Sequence, residues 1–478
     1  MAESRHRAVH AADRTEPPPD LRGLALSLTP LLLPWLPRQR WFAGKDRPIG
    51  AVRLVSVTEL LPYGAPATPA AGNAPGLLHL LVRVEQPGPA VDVYQLLLGL
   101  RPAPLPARLA PWSLGTAADG PLHGAAAYDA LGDPRLAGVL LERLRLPGRL
   151  GPLVFSREPG TAIPERAPAR PLGAEQSNSS VVYGDQLILK LFRRVFAGPN
   201  PDLELPLALA RAGADCAPPP AAWFSTDQTT GFAEAAGEEG GGRAATLGVL
   251  SPFLAGAADG WELALAAAAR GASFGGEARA LGAATARMHT ALARALPTAV
   301  LRRPQIEHLA ALMTRRLDAA AAAVPALLPY RDALAARFTR LTEGGGQTWA
   351  AQRVHGDLHL GQALASAGHW TIIDFEGEPS RPVAERRHPQ PTARDVAGML
   401  RSFDYAARSS RAAPHWAAAS RAAYCAGYAE ESGADPREQP GLLDAFEADK
   451  VVYEVLYEAR HRPDWLDVPL AAIRRLAA

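Results

Sequence analysis

The chain has 478 residues, 48% of them hydrophobic and 21% charged, enough to bury a sizeable core and too long for a single domain at about 150 residues each. Lys+Arg (50) nearly balances Asp+Glu (48), so no general basic surface marks the chain for nucleic acid. The two cysteines, Cys216 and Cys425, exclude a disulfide framework and a Cys-based metal site. No run of 18 apolar residues predicts a membrane span, and the polar, Pro-rich N-terminus lacks the apolar region of a secretory signal, which points to the cytoplasm.

In chain order, residues 1–20 read as a disordered tail. Leu21 to Leu36 is apolar and reads as a helix broken at Pro30 and Pro34. The dense segment RQRWFAGK (38–45) follows. Segments 51–60, 79–85 and 91–98 read as strands by β-branched content and partial alternation, the first two separated by a Pro/Gly/Ala loop at 62–76. Residues 101–126 are rich in loop formers, and 128–145 mix helix and strand signals without deciding between them. A strand pair spans 179–195, with Tyr-Gly-Asp-Gln (183–186) at its turn. Asn200-Pro201 predicts a helix start and Gly213 its end. EAAGEEGGGR (234–243) reads as a surface loop and 245–253 as a strand. Beyond it the chain is mostly helical: 259–270, 276–295, 304–323, 328–342, 392–408, 413–431 and 440–461. The expected organisation is a tail (1–20), a small α/β cap (21–110), a β-rich lobe (111–253) and a large helical lobe (254–478).

The exception inside the helical part carries the chemistry. In VHGDLHLGQALASAGHWTIIDFEGEP (354–379), residues 363–366 and 369–375 read as strands joined at Ala367-Gly368. If Ser366 pairs with His369, Gly361 falls opposite Asp374 and Gln362 lies diagonal to it, within about 5–8 Å. Asp357 enters at the same end. Two carboxylates and an amide oxygen are hard ligands suited to Mg²⁺, with Asp357 left to face a hydroxyl. A kinase active site has the same parts: an Asp that takes the acceptor's proton, an amide five positions later on the metal, and a second Asp on the metal.

His355-Gly356-Asp357 and Asp374-Phe375-Glu376 resemble the motifs of the protein-kinase-like superfamily, in its branch of aminoglycoside- and choline-kinase-like phosphotransferases. Gln362 stands where that branch has Asn, and Glu376 where a protein kinase has Gly. HGDLHLGQ (355–362), IIDFEGEP (372–379), the RP-x-AER run (381–386), RDVAGMLRSFDYAA (394–407) and RQRWFAGK resemble the bacterial maltokinase family across most of the chain. The resemblance implies an α+β bilobal protein-kinase-like fold with an extra N-terminal cap. It implies ATP and Mg²⁺ as cofactors, transfer to maltose giving maltose 1-phosphate, and trehalose synthase as a candidate partner. A kinase for another acceptor (glucosamine, another sugar or an aminoglycoside) and a non-catalytic pseudokinase are the rival readings.

The resemblance assigns roles. Asp357 is the catalytic base, with Gln362 and Asp374 on the metal. Lys190, one of only three lysines (with Lys45 and Lys450), sits mid-strand in LILKLF and needs an anionic partner; it is the expected phosphate lysine. Glu204 is its expected partner, with Asp202 competing. Ser177, Ser179 and Ser180 occupy the phosphate-loop position, although the same residues fit a polar turn. Val249 and Leu250 stand where a hinge would hold adenine, or are a linker. His355 is expected to brace the loop. For the sugar, Glu376, Arg386, Tyr453 and Glu454 are candidates, with core packing the alternative for the tyrosine.

Overall fold

A computed structural model describes residues 19–45, 47–63, 74–88, 91–173, 177–227, 244–343, 348–378, 381 and 383–477. The tail expected over 1–20 lies outside the described residues except for its last two, which open a helix. Most of the 62–76 loop and all of 234–243 also lie outside them. The chain forms two compact units, one of Met1–Gly184, Leu189–Gly198 and Trp223–Gly248, the other of Asp185–Ile188, Pro199–Ala222 and Val249–Ala478.

The first unit opens with helix α1 (Pro19–Trp35), which runs unbroken through Pro30 and Pro34. Tertiary burial of Leu28, Leu32 and Trp35 outweighs the hydrogen bonds those prolines remove, which corrects the break expected there. Strands β1 (Ala51–Leu61), β2 (Gly76–Glu85), β3 (Val91–Pro102), β4 (Ser113–Thr116) and β5 (Ala125–Asp129) form a sheet of order β1-β2-β3-β5-β4. The sheet runs past the boundary expected at residue 110, because Leu98–Pro102 pair with Ala125–Asp129. On β2, Leu78, Leu80, Val82 and Val84 join Leu28 and Leu32 in one core cluster. Leu77, His79 and Leu81, on the opposite face by strand periodicity, are also buried, so the sheet is covered on both sides. The ambiguous 128–145 segment divides into the end of β5 and helix α2 (Pro134–Arg145), which Asp133 caps at its N-terminus. A second sheet takes β6 (Gly148–Leu150), β7 (Leu153–Arg157), β8 (Ala169–Leu172), β9 (Ser179–Tyr183), β10 (Leu187–Leu191), β12 (Ala222–Thr226) and β13 (Ala245–Pro252), while β11 (Arg194–Val195) pairs with β3. Gly184 and Asp185 make the β9–β10 turn with φ of 55° and 52°, as the Gly-Asp pair predicts.

His79 is fully buried. Gln95 Nε2 donates to the carbonyls of Phe192 (2.7 Å) and Leu247, so its Oε1 faces His79 Nε2 at 3.1 Å and the imidazole proton sits there. Burial lowers this histidine's pKa to about 4, against the opposing pull of the Gln95 hydrogen bond. The unfolded chain therefore binds the proton more readily. The contribution is complete above the unfolded value of 6.5 and is lost as pH falls towards 4. We expect acidification from neutrality to pH 4 to cost about 3 kcal/mol through this residue alone. Urea unfolding of wild type and His79→Leu at both pH values checks it: the variant should lose that much less.

In the second unit, helix α3 (Pro201–Arg211) is capped by Asn200 Oδ1, which accepts from Asp202 N at 2.9 Å. Short strand β14 (Ala258–Asp259) precedes α4 (Gly260–Ala269) and α5 (Gly275–Ala295). Strand β15 (Ala299–Leu301) pairs with β16 (Trp349–Ala351), and α6 (Arg303–Ala323) and α7 (Arg331–Arg340) lie between them in sequence. The hairpin β17 (Ala363–Ser366) and β18 (His369–Ile372) is followed by α8 (Val383–Arg387), α9 (Ala393–Ser409), α10 (Pro414–Ser432), α11 (Pro440–His461) and α12 (Asp467–Ala477). Helix α9 is buried nearly all round, with Val396, Met399, Leu400 and Phe403 in the core. Gly398 is required there: a Cβ would stand 2.6 Å from Leu358 O. Among the described residues no helix is long and apolar enough to cross a membrane.

Candidate active site

The site is built on the β17–β18 hairpin. Its register is the predicted one, Ser366 opposite His369 and Ala363 opposite Ile372. Ala367 (φ 47°) and Gly368 (φ 81°) make the turn. One further ladder bond, Ile373 N to Gln362 O at 2.9 Å, closes the mouth. The second strand ends at Ile372 rather than 375, because Asp374 adopts a left-handed φ of 64° that turns the chain out of the sheet. Gln362 Nε2 then donates to Asp374 Oδ2 at 2.9 Å.

The loop from Val354 to Gln362 is pinned from below by one buried carboxylate. Asp395, in the first turn of α9, accepts from His355 N through Oδ2 and from Gly356 N through Oδ1, both at 2.8 Å. His289 Nε2 stands 3.0 Å from the same Oδ2. Arg394 Nε donates to Gly356 O at 3.0 Å. Gly356 has φ 87°, a conformation a side chain would strain. His355 Nδ1 accepts from Asp357 N (3.3 Å), so the ring proton is on Nε2, which donates to Ile373 O (3.0 Å). The ring ties the loop to the hairpin, the bracing role expected of it.

Asp357 stands on this frame, part-buried, with Oδ1 2.8 Å from Lys450 Nζ. Burial pushes its carboxyl up, yet the Lys450 ammonium and its hydrogen bond hold it well below the usual carboxylate range. Burial likewise works against the Lys450 ammonium, and Asp357 and Glu378 more than compensate, leaving its pKa above that of an ordinary lysine. His359 Nδ1 accepts from Gly361 N at 3.1 Å; burial lowers its pKa, so it is neutral near pH 7.

Sequence reading missed part of the acidic set. Asp202, Asp374 and Glu376 each present an oxygen within 4.8 Å of the others, all part-buried. Asp202, weighed only as a rival to Glu204, accepts from Phe375 N through Oδ1 at 2.6 Å. Glu376, read as a sugar contact, belongs with the metal-type oxygens. Glu204 Oε2 lies 2.8 Å from Arg353 Nη1, in ion-pair contact. The signal for Asp202 was its place in the first turn of a helix capped at Asn200.

The remaining assignments divide. Arg386 Nη1 donates to Glu376 O (3.1 Å) and Nε to Arg381 O (2.8 Å), bracing the backbone that carries Glu376. Tyr453 lies beside Lys450 on the same helix, its ring centroid 4.9 Å from Nζ. Glu454, expected on the sugar, is instead buried against Arg401, whose Nη2 and Nε donate to Oε2 at 2.7 and 3.1 Å. One helical step from Tyr453, it faces α9 and the core. Glu454→Ala is expected to destabilise the fold by about 3 kcal/mol, with Arg401 keeping only Asp404, and to leave KM for the acceptor unchanged. Urea titration beside a KM measurement checks this, and a raised KM at normal stability would return Glu454 to the sugar.

In the first unit, Lys190 lies on β10 with Nζ 5.8 Å from the centroid of Phe192. Ser179 Oγ accepts from Arg193 Nε (2.8 Å), Ser177 Oγ from Asn178 Nδ2 (3.3 Å), and Ser180 is buried. Arg193 also stacks on Trp41, 4.9 Å from its ring, and Phe42 stacks on Tyr94 at 5.1 Å; Trp41 and Phe42 anchor the RQRWFAGK segment in the core, while Arg38, Arg40 and Lys45 are exposed. On β13, Val249 and Leu250 are buried, and the Leu250 carbonyl already accepts from Ala221 N at 2.7 Å, which takes one of the backbone groups expected for adenine.

This geometry coincides with sequence similarity. Residues 168–434 match the phosphotransferase enzyme family, over half of the chain. The chain belongs to that family. Residues 35–133 match the maltokinase N-terminal cap domain, the region of the β1–β5 sheet. A glucosamine kinase of Streptacidiphilus jiangxiensis is 30% identical over 327 residues, 62% of this chain and 70% of the relative. One from Mycolicibacterium smegmatis (strain ATCC 700084 / mc(2)155) is 30% identical over 330 residues, 64% of this chain and 79% of the relative. Among solved structures, a glucosamine kinase in complex with glucosamine, ADP and inorganic phosphate shares the fold with a TM-score of 0.64 at 24% identity, covering 89% of this chain and 94% of that one. A second crystal form gives 0.66 at 23%, covering 94% and 99%. The protein is thus a phosphotransferase of kinase-like α+β fold carrying a maltokinase-type cap.

Proposed function

We propose that this phosphotransferase is an ATP-dependent sugar kinase whose acceptor is maltose. The anomeric oxygen attacks the γ-phosphorus, the bond from that phosphorus to the β–γ bridging oxygen breaks, ADP leaves, and the hydroxyl proton passes to Asp357. The product, maltose 1-phosphate, would feed α-glucan synthesis in the cytoplasm. The match of residues 35–133 to the maltokinase cap carries the choice of acceptor.

The chemistry of the cluster fits Mg²⁺: Asp374, Asp202 and Glu376 are hard oxygen donors converging within 4.8 Å, with Gln362 beside them. Bound there, the ion would neutralise charge on the phosphates. Asp357 orients the acceptor hydroxyl and takes its proton, while Asp395 and His355 keep the loop in place. Lys190, Ser177, Ser179, Ser180, Val249 and Leu250 are the proposed nucleotide-side residues, and Arg386 and Tyr453 flank the acceptor. Glucosamine is the second reading, favoured by the names of both 30%-identical relatives.

The test is coupled ADP release with ATP and Mg²⁺ against maltose, glucose, glucosamine, trehalose and kanamycin, with ³¹P NMR of the product. Maltose-dependent turnover and an anomeric phosphate are expected. Turnover with glucosamine alone would replace the acceptor and keep the site, and no turnover with any of them would favour a pseudokinase.

A further inference from the structure

Lys450 is one of three lysines among 50 basic residues, and sequence reading gave it no role. It reaches from α11 to the catalytic loop across 93 residues of sequence. The groups around it are Asp357 and His359 on that loop, Glu378 after the hairpin, and Tyr453 and Glu454 on its own helix. The two glutamates have other partners. Glu378 Oε2 accepts from Arg394 (2.7 Å) and Arg381 (3.1 Å), and Glu454 from Arg401. Asp357, at 2.8 Å, is the acid that hydrogen-bonds Lys450 and fixes its ammonium in place. The ammonium is therefore a fixed cation one hydrogen bond from the carboxylate that receives the acceptor.

We propose that Lys450 is a specificity-determining residue, selecting acceptors that are uncharged next to the reacting hydroxyl and rejecting amino sugars whose ammonium flanks it. The inference rests on the reading of Asp357 as the acceptor's base. In the proposed pose the acceptor hydroxyl meets Asp357 with its neighbouring carbon on the Lys450 side, where Nζ stands 2.8 Å from Asp357 Oδ1. A hydroxyl on that carbon can accept a hydrogen bond from the ammonium, whereas a second ammonium is donor only and of like charge. In a partly desolvated site that repulsion is far less screened than in water. Glucose and glucosamine differ only in this group, at the carbon beside the anomeric one.

The experiment measures kcat/KM for maltose, glucose and glucosamine with wild type, Lys450→Met and Lys450→Arg, at about pH 6 and about pH 9, spanning the titration of an amine. We expect wild type to prefer glucose over glucosamine at the lower pH by at least about tenfold. Lys450→Met should erase most of that preference and Lys450→Arg keep it. Raising the pH neutralises the sugar's amine while Lys450, held above an ordinary lysine's pKa by Asp357, stays charged. The wild-type preference should therefore shrink with pH, and the Met variant's should not. If Lys450→Met is inactive with both sugars, the wild-type pH profile decides. Equal use of glucose and glucosamine by wild type near pH 6, or an unchanged ratio in an active Met variant, overturns the inference. Failure of every neutral sugar overturns the reading of the site and this inference with it.

Discussion

Asp357→Asn is expected to lower turnover by about 10²- to 10⁴-fold, the range of a lost general base, while ATP binds as in wild type. The substitution keeps the side chain's shape and an oxygen able to accept from Lys450 Nζ, now 2.8 Å from Oδ1. It removes the group that can take the acceptor's proton. Because Lys450 holds the carboxyl well below the usual range, Asp357 is already ionised in mild acid. The sign follows: wild-type kcat/KM should show no loss attributable to Asp357 between about pH 5 and 8, and its acid limb should lie below the ordinary aspartate value of about 4. Single-turnover ADP release across that range, beside a nucleotide titration, reads both claims. An Asn variant within tenfold of wild type would falsify the catalytic role of Asp357. A variant that also loses ATP binding would make the residue structural.

The hairpin was legible because two local rules fix it. A strand's side chains repeat every two residues, and Ala367-Gly368 admits the positive φ of the turn, so Gln362 had to meet Asp374. Helix α3 was legible from Asn200, Pro201 and Gly213. What escaped lies in long-range pairings. Asp202 reaches the segment after Asp374 across 173 residues, and no local spacing announces that. Asp395 drew no assignment from the sequence; burial made it the anchor of the catalytic loop. Tyr453 and Glu454 are consecutive, so α11 turns them onto different faces, and only packing decides which one meets the active site. Lysine scarcity pointed at Lys450, but scarcity names no partner. The prolines of α1 misled for the converse reason, since local propensity yields where a helix face is buried.

Asp395→Asn should unfold the second unit at lower temperature and cripple turnover together, although the residue touches no substrate in the proposed reaction. Its carboxylate is fully buried and takes three hydrogen bonds, from His355 N, Gly356 N and His289 Nε2. Burial pushes its pKa up, but His289, His355 and the Gly356 amide outweigh that and hold it below the ordinary value. The carboxylate's contribution is therefore present above the unfolded aspartate value near 4 and is lost as pH falls through the lower folded value. An Asn side chain offers one oxygen to three donors and turns its own N–H₂ towards one of them. The mismatch of a buried, charge-assisted centre amounts to about 4 kcal/mol. For a unit of this size that lowers the melting temperature by roughly 8–16 °C. The amides it holds are those of His355 and Gly356, immediately before Asp357, so mispairing either of them shifts the base as well. A displacement of about 1 Å is enough for a 100-fold loss of turnover. Calorimetry and single-turnover kinetics on the same preparation separate the two effects. If turnover measured well below the new melting temperature is normal, Asp395 supports the fold without positioning Asp357. If both fall, the buried carboxylate sets the geometry of the catalytic loop.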